Sequence, residues 1–349
     1  MSTKKLNIPG YEEVIYARDD DSGLRAIIAI HDTTLGPAVG GTRMLPYGDD
    51  LEALADALRL SRAMTYKAAA AGLDFGGGKA VIIGDPEKNK SEKLLRAFGR
   101  LVESMGGRFL TGEDVGTSSE DMRIVNKETE YTIIPPKSME EEWQSSFLTA
   151  LGVVRGIQAS VKEVYGSDSL AGIRIAIQGI GKVGERLARM LHAEGARLII
   201  TDLDQGRLSG LMELGATAVM PHEIYRIDAE VFSPCALGGI LNDEVIPFLR
   251  CRIVAGAANN QLAEDRHAVQ LWKRGILYAP DYVINAGGLI SALYEMGRCD
   301  RETVIRMAEK IYDRLRSIYD ISRSEGISTL AAADRMVEER IRQGRSTLP

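Results

Sequence analysis

Two lysines twelve residues apart are the side chains best placed to do chemistry in this chain. Lys67 lies in Met64-Thr65-Tyr66-Lys67-Ala68-Ala69, and Lys79 closes Phe75-Gly76-Gly77-Gly78-Lys79. Three glycines before a lysine let backbone approach a ligand and put the ammonium at a crowded position. Burial lowers a lysine's pKa because the charged form loses hydration. A lysine brought toward neutrality can act as a general base, and a second one kept charged can hold a substrate carboxylate. Taken alone, Gly-Gly-Gly-Lys also fits a phosphate-cradling loop or a plain turn before a strand over 80–83. Asp114, in Thr111-Gly112-Glu113-Asp114-Val115-Gly116, adds an acid at the end of an expected strand. It reads either as an N-cap for a helix beginning near Ser118 or as a proton shuttle beside Lys79. An acid and an amine with mutually tuned pKa values suit proton movement at a carbon–nitrogen centre.

A second constellation is Gly179-Ile180-Gly181-Lys182-Val183-Gly184, between an expected strand over 173–178 and a helix over 185–193. Gly179 permits the tight turn, Gly181 lets backbone reach a pyrophosphate, and Gly184 allows close helix–strand packing. The helix N-terminus offers free N–H groups and a positive dipole end to phosphate. The next strand ends in Asp202-Leu203, about 20 residues on, where an acid binds the adenosine ribose hydroxyls. A glycine-rich turn without a ligand is the plainer alternative, but strand, helix and Asp202 in register favour a dinucleotide. Asp202 would repel a 2′-phosphate and so argues for NAD over NADP, while Arg207 is close enough in sequence to accommodate that phosphate.

The elements that carry these residues follow from local pattern. Residues 26–30 read as a buried strand. A helix over 50–70 takes Asp49 or Asp50 as N-cap and puts Leu54, Ala57, Leu58, Ser61 and Thr65 on one face, with Lys67 near its end. A helix over 91–105 ends at Gly106-Gly107, and a strand over 108–111 delivers Asp114. Pro135-Pro136 and the acidic run Glu140-Glu141-Glu142 mark a domain boundary. A long helix over 146–165 follows. Strands over 173–178, 198–202, 230–233, 252–255 and 276–279 alternate with helical stretches, the pattern of a parallel, doubly wound sheet. From Gly288 onward the pattern is helical. The expectation is an α/β fold of two domains. The first, over 1–134, is a substrate domain, with helices over 318–349 packing back on it. The second, over 135–317, is a Rossmann domain.

Composition narrows the class. The chain has 349 residues, 45% of them hydrophobic, and a formal charge of -6, which leaves no basic footprint for nucleic acid. The 3 cysteines are too few for a disulfide framework, the 4 histidines share no ligand-like spacing, and no metal is expected. The N-terminal residues lack an apolar signal segment and no run is long enough to span a membrane, so a cytoplasmic protein is expected.

Taken together, the motifs resemble the Glu/Leu/Phe/Val amino-acid dehydrogenases, in particular the leucine and phenylalanine dehydrogenase branch. The resemblance runs through Leu35-Gly36-Pro37-Ala38-Val39-Gly40-Gly41-Thr42-Arg43-Met44, Asp56-Ala57-Leu58-Arg59-Leu60-Ser61, the two lysine motifs, Glu113-Asp114-Val115-Gly116 and the dinucleotide loop. It continues through Pro234-Cys235-Ala236-Leu237-Gly238, Ala255-Gly256-Ala257-Ala258-Asn259-Asn260-Gln261-Leu262 and Val283-Ile284-Asn285-Ala286-Gly287-Gly288. It implies oxidative deamination of an L-amino acid with NAD, by hydride transfer from Cα. Lys67, helped by backbone at Gly40 and Gly41 and near Met64, would hold the α-carboxylate. Lys79 would be the base that activates water, and Asp114 would exchange protons with the amino group. Asn260 and Asn259 would touch the substrate, although the two could simply form a turn. Thr149 and Asn285 would hold the nicotinamide, although Thr149 could be a helix cap. Cys235, Ala236 and Leu237 would flank the cofactor.

The resemblance also implies a side-chain pocket lined by Val39, Gly112, Leu289 and Ala292, none of which offers a charge. Leucine-type relatives carry alanine where Gly112 lies and a bulkier residue where Ala292 lies, so the pocket leans toward phenylalanine or tryptophan and away from leucine or valine. A homo-oligomer, dimer or octamer, is implied as well. The chain departs from the family pattern over 135–147, where relatives carry a Gly-Ser-rich loop and this one has three glutamates and Trp143. Two other readings stand beside this one. One is a different Rossmann reductase with a lysine–aspartate pair, of the shikimate dehydrogenase kind. The other is a non-catalytic NAD-binding regulatory protein.

Overall fold

The computed structural model describes residues 1–135 and 145–346; Trp143 and the three glutamates before it lie outside the described residues. The chain forms two compact units. One is Met1–Ser138 with Glu295–Arg298 and Glu338–Pro349; the other is Met139–Tyr294 with Cys299–Val337.

The first unit is built on a mixed sheet. Its elements are β1 (Ser2–Leu6), β2 (Glu13–Asp19), β3 (Leu24–Asp32), β4 (Ala38–Leu45), α1 (Asp50–Ala70), β5 (Gly76–Ile83), α2 (Glu92–Glu103), β6 (Phe109–Glu113) and α3 (Ser119–Val125). The strand order is β1-β2-β3-β5-β4-β6. β4 runs parallel to β5 and β6, and the other pairs are antiparallel. Alternation sorts the side chains of each strand between two faces. Ala26, Ile28 and Ile30 of β3 and Ala80 and Ile82 of β5 join Leu94, Phe98 and Leu101 of α2. Ile27, Ala29, Val81 and Ile83 join Ala53 and Ala57 of α1. Lys79 has the parity of Val81, so it belongs to the face that α1 covers. Asp49 caps α1 by accepting from the Glu52 N–H, and Ser91 caps α2 by accepting from the Leu94 N–H.

The glycines before Lys79 form no loop and no turn. They lie inside β5, fully buried. Each makes room for another part of the protein. A Cβ at Gly77 would lie 2.1 Å from the Thr65 backbone nitrogen of α1, and one at Gly78 would lie 2.7 Å from the Phe109 ring. The glycines therefore bring α1 and a neighbouring aromatic onto the strand that carries Lys79. β4 was hidden from sequence pattern by its own glycines, which weaken a strand's local signature.

The second unit holds a parallel sheet. α4 (Ser145–Tyr165) precedes β7 (Arg174–Gln178), α5 (Lys182–Ala193), β8 (Arg197–Thr201), α6 (Ser209–Met212), β9 (Thr217–Ala218), β10 (Val231–Pro234), β11 (Ile253–Val254), α7 (Arg266–Lys273) and β12 (Leu277–Tyr278). Then come α8 (Asp281–Ile284), α9 (Gly287–Glu295), α10 (Arg301–Glu309), α11 (Ile311–Glu325) and α12 (Thr329–Ser346). The sheet order β12-β11-β10-β7-β8-β9, all parallel, reverses direction between β7 and β10. Such a reversal is where doubly wound sheets bind ligands at the carboxyl ends of their strands.

The C-terminal helices divide differently from the sequence expectation. Of 318–349, only 338–349 belong to the first unit. α11 stays with the second because its apolar stripe fits α4. Gly152 and Gly156 admit Ile311 and Leu315, which a Cβ would meet at 2.5 and 2.9 Å, and Tyr319 bonds Ser160 at 2.7 Å.

Candidate functional site

In the first unit, β5 and the turn after β6 bring Lys79 and Asp114 together. Lys79 Nζ donates to Asp114 Oδ2 at 2.5 Å, and the Lys79 side chain is only 7% exposed. Asp114 is not a helix cap. Ser118 caps α3 instead, in a reciprocal box with Asp121. The Asp114 turn is pinned to β4: Thr117 Oγ1 donates to Thr42 O at 2.7 Å, and the Met44 N–H donates to Val115 O at 2.9 Å. Gly41 clears the space that Asp114 fills, since a Cβ there would lie 2.9 Å from Asp114 Cβ. Burial pushes the Lys79 amine below its ordinary range, and the Arg43 guanidinium adds to that, while Asp114 opposes it. Burial alone would raise Asp114, but Lys79 and Arg43 outweigh it and hold the carboxyl below its usual range. The pair therefore joins an ionised acid to an amine that gives up its proton more readily than a surface lysine.

The other expected substrate residues of this unit surround the same strands. Lys67 and Met64 are half-buried in the last turns of α1. Val39 and Gly40 are buried on β4, and Gly112 on β6 faces Gly41. A Cβ at Gly112 would make only ordinary contact, 3.6 Å, with Ile133. Two groups not singled out from sequence matter here. Arg43 bridges Asp114 and Asp56. Arg340 of α12 donates to Ala69 O and Leu73 O, at 2.9 and 2.8 Å, and pairs with Asp74, so it holds the end of the helix that carries Lys67. Arg43 stands next to Gly40-Gly41-Thr42 in the sequence, but its partners lie on α1 and after β6 and left no local signal. Arg340 carried no local signal.

In the second unit, the loop after β7 has the shape a dinucleotide needs. Gly179 adopts φ +96°, and a Cβ there would collide with Ala236 on the loop after β10. Gly184 admits the Gly179 carbonyl, which a Cβ would meet at 2.0 Å. A Cβ at Gly181 would meet nothing closer than Arg207, at 3.9 Å, so backbone there stays approachable. Gly181 caps α5 without a side-chain bond, which leaves the first-turn N–H groups of Lys182 and Val183 for an anion. The helix begins at Lys182, three residues earlier than periodicity suggested. Asp202, just past β8, accepts from the Ile180 N–H at 2.7 Å and from the Asp204 N–H at 2.9 Å. It thus braces the glycine loop. Leu203 and Leu237 are 86% and 80% exposed.

The remaining expected residues of this unit lie on the loops after β10 and β11, at the end of α8, and on α4 and α9. Asn285 Nδ2 donates to Asn259 Oδ1 at 2.9 Å and to Ala257 O at 3.2 Å. Its own Oδ1 is buried and has no partner among the described residues, an acceptor suited to a carboxamide N–H. Asn260 adopts φ +50° at a bend over 259–260, and Gly239 N–H donates to Asn260 O. Thr149 is no cap. It lies inside α4, donates to Ser145 O, and would sit 3.2 Å from a Cβ at Gly288. Leu289 and Ala292 are buried on α9. Burial pushes the Cys235 thiol up, which leaves little thiolate for nucleophilic work. Among the described residues, Asp243, Glu264 and His267 approach one another as metal ligands would. Arg266 occupies both carboxylates, and Nδ1 of His267 lies 3.0 Å from the Glu264 backbone nitrogen. No helix among the described residues is long and apolar enough to cross a membrane.

Comparison with known proteins agrees across both units. A family model described as Glu/Leu/Phe/Val dehydrogenase, dimerisation domain, matches residues 12–131. A second, described as Glutamate/Leucine/Phenylalanine/Valine dehydrogenase, matches 200–340. The chain is 51% identical to the leucine dehydrogenase of Geobacillus stearothermophilus, over 97% of this chain and 92% of that protein. It is 50% identical to the phenylalanine dehydrogenase of Bacillus thermotolerans, over 95% and 88%. The crystal structure of L-tryptophan dehydrogenase from Nostoc punctiforme superposes with a TM-score of 0.88 at 48% identity, covering 97% of each chain.

The Lys79–Asp114 geometry has a direct consequence. Because the Asp114 carboxylate raises the lysine's pKa against the pull of burial, replacing it with a neutral amide lowers that pKa further. Competitive acetylation across pH, with Lys79 read by peptide mass spectrometry, should give a midpoint below that of surface lysines, and a lower one still in Asp114→Asn. A midpoint that stays put or rises in Asp114→Asn would contradict the electrostatic reading.

Proposed function

The chain belongs to the Glu/Leu/Phe/Val dehydrogenase family, and from that premise we propose that it catalyses the reversible, NAD-dependent oxidative deamination of a hydrophobic L-amino acid. It is an amino-acid dehydrogenase, an oxidoreductase that acts on small molecules. The observation that carries the mechanism is the buried Lys79 amine bonded to the ionised Asp114 carboxylate.

The roles follow from charge and position. Lys67 neutralises the α-carboxylate, with backbone N–H groups of Gly40 and Gly41 beside it. The dinucleotide, when bound, supplies the hydride acceptor. Loss of hydride from Cα leaves a carbon–nitrogen double bond on the substrate. Lys79 takes a proton from water as the oxygen adds to that carbon. Asp114 relays that proton from Lys79 to the nitrogen; the C–N bond then breaks as the hydroxyl gives its proton back to the Lys79 amine, and ammonia leaves with the 2-oxo acid behind. The N–H groups at the start of α5 bind the pyrophosphate, Asp202 the adenosine ribose, and Thr149 and Asn285 the carboxamide, with Ala236 and Leu237 against the rings. Asn260 and Asn259 contact the amino acid.

Side-chain choice falls to Val39, Gly112, Leu289 and Ala292. None can partner a γ-carboxylate, and burying one without a partner is costly. Gly112 has room for a methyl group that it lacks, with only Ile133 in ordinary contact, and Ala292 is likewise small. The room at Gly112 favours an aromatic ring, with aliphatic substrates as partial competitors, since a methylene is worth only about 1–3 kcal/mol.

An assay of NADH formation with L-Phe, L-Trp, L-Leu, L-Val and L-Glu tests this. The aromatic substrates should show the highest kcat/KM and glutamate negligible turnover. Lys79→Ala should lose roughly 10²–10⁴-fold while still binding NADH. A clear preference for leucine or valine defeats the aromatic assignment, and near-normal turnover in Lys79→Ala defeats the base assignment.

NAD should be preferred over NADP, because Asp202 accepts from ribose hydroxyls and repels a phosphate. Equal kcat/KM with the two cofactors would refute that and point to Arg207. We also infer a homo-oligomer, from the family model that describes 12–131 as a dimerisation domain. Light scattering that returns the chain mass of 38.1 kDa at micromolar concentration would overturn it.

A further inference from the structure

We propose that Arg43 is a positioning residue for the reaction: held at its far end by Asp56, it fixes the Asp114 carboxylate against Lys79 and sets which of the two carries the mobile proton. The inference rests on the function proposed above and adds a residue to it.

The geometry is a line of alternating charge. Asp114 Oδ2 accepts from Lys79 Nζ at 2.5 Å and from Arg43 Nε at 3.1 Å, so both cations share one oxygen. The other end of the guanidinium, Nη1, donates to Asp56 Oδ2 at 3.0 Å. Asp56 is itself fixed, accepting from Tyr47 OH at 2.8 Å and from Arg59 at 2.7 Å. The groups that face the Lys79–Asp114 pair are therefore Arg43 from β4 and Asp56 from α1, with Tyr47 and Arg59 acting through Asp56. The Arg43, Asp56 and Asp114 side chains are only 20%, 15% and 24% exposed, so solvent screens the line weakly.

This arrangement does two things that Lys79 and Asp114 cannot do alone. With a single cation, a buried carboxylate and ammonium can relax by passing the proton across, which leaves a neutral pair and no charge at either site. A second, permanently charged cation on the same oxygen keeps the carboxylate ionised, because arginine does not release its proton. It also repels the Lys79 ammonium and favours the neutral amine that a base must present. Asp56 makes the hold two-ended, and because it sits on α1, the same helix that carries Lys67, it ties the proton machinery to the element that holds the substrate carboxylate.

The test compares wild type with Arg43→Gln, Arg43→Lys and Asp56→Asn by two readouts: kcat/KM for amino-acid oxidation against pH, and the acetylation midpoint of Lys79 in the holoenzyme with NADH. Losing the guanidinium should move both the rising limb and the midpoint upward, by at least ~1 pH unit for a charge removed at this range. Arg43→Lys keeps a cation and should shift less. Asp56→Asn keeps the Arg43 charge, frees its far end and removes an anion that raises the Lys79 amine, so kcat should fall while the midpoint moves downward. NADH affinity should not change in any of them. Arg43→Gln curves that superimpose on wild type in pH, with or without a lower rate, would reduce Arg43 to a structural strut and overturn the inference. Should Arg43→Gln fail to fold, Asp56→Asn decides, and a kcat and a Lys79 midpoint both unchanged in it would overturn the inference as well. If wild type oxidises no amino acid, the function above fails, and the Lys79 midpoint still decides the role of Arg43.

Discussion

Placing a lysine on an interior strand face has a desolvation cost that only an adjacent anion offsets. Lys79 is such a lysine, and much of the first unit is arranged around that requirement. The carboxylate that meets it comes from Asp114, on a turn that Thr117 and Val115 tie to β4. Gly41 vacates the volume the carboxylate needs. The balance does not resolve to a strong ion pair in isolation. Burial favours the neutral amine, Asp114 favours the charged one, and Arg43 sides with burial. A lysine poised between these pulls is useful to chemistry, where one locked in a strong pair is not.

Glycine serves opposite purposes in the two units. In β5, Gly76, Gly77 and Gly78 are buried in a strand and admit protein: the Asp32 carbonyl, the backbone of α1 and the Phe109 ring. In the loop after β7, Gly179 and Gly184 also admit protein, but Gly181 leaves its backbone open beside the uncapped start of α5. The same residue type thus packs the strand that carries Lys79 in one place and leaves backbone N–H groups open at a helix start in the other. Each use follows from whether the glycine lies within a ladder or at a strand end. The sheet reversal between β7 and β10 supplies the second case, because the loops that leave these strands diverge and Gly179 and Ala236 come face to face at the crevice.

Much of this was legible in the chain itself. The bounds of α1 and its Asp49 cap, the strand–glycine–helix run from 174 to 193, Asp202 at the end of β8 and the parallel alternation of the second unit depend on period, caps and turn residues. All of these are local interactions between near neighbours. Lys79, Asp114 and Asn285 could be named as chemical groups because their motifs stand together in fixed order. What depended on strand pairing was not legible. That Gly76–Gly78 are strand and not loop depends on β5 being flanked by β3 and β4, and that Asp114 is not a cap depends on Lys79 reaching it from 35 residues away. Arg43 on Asp114 and Asp56, Arg340 on the end of α1, and α11 on α4 are likewise contacts between residues distant in the chain. Local pattern determines which elements form and which face of each is apolar. Only tertiary structure decides which neighbour that face meets, and through burial and neighbouring charge it is the neighbour that lowers the pKa of the Lys79 amine below that of a surface lysine.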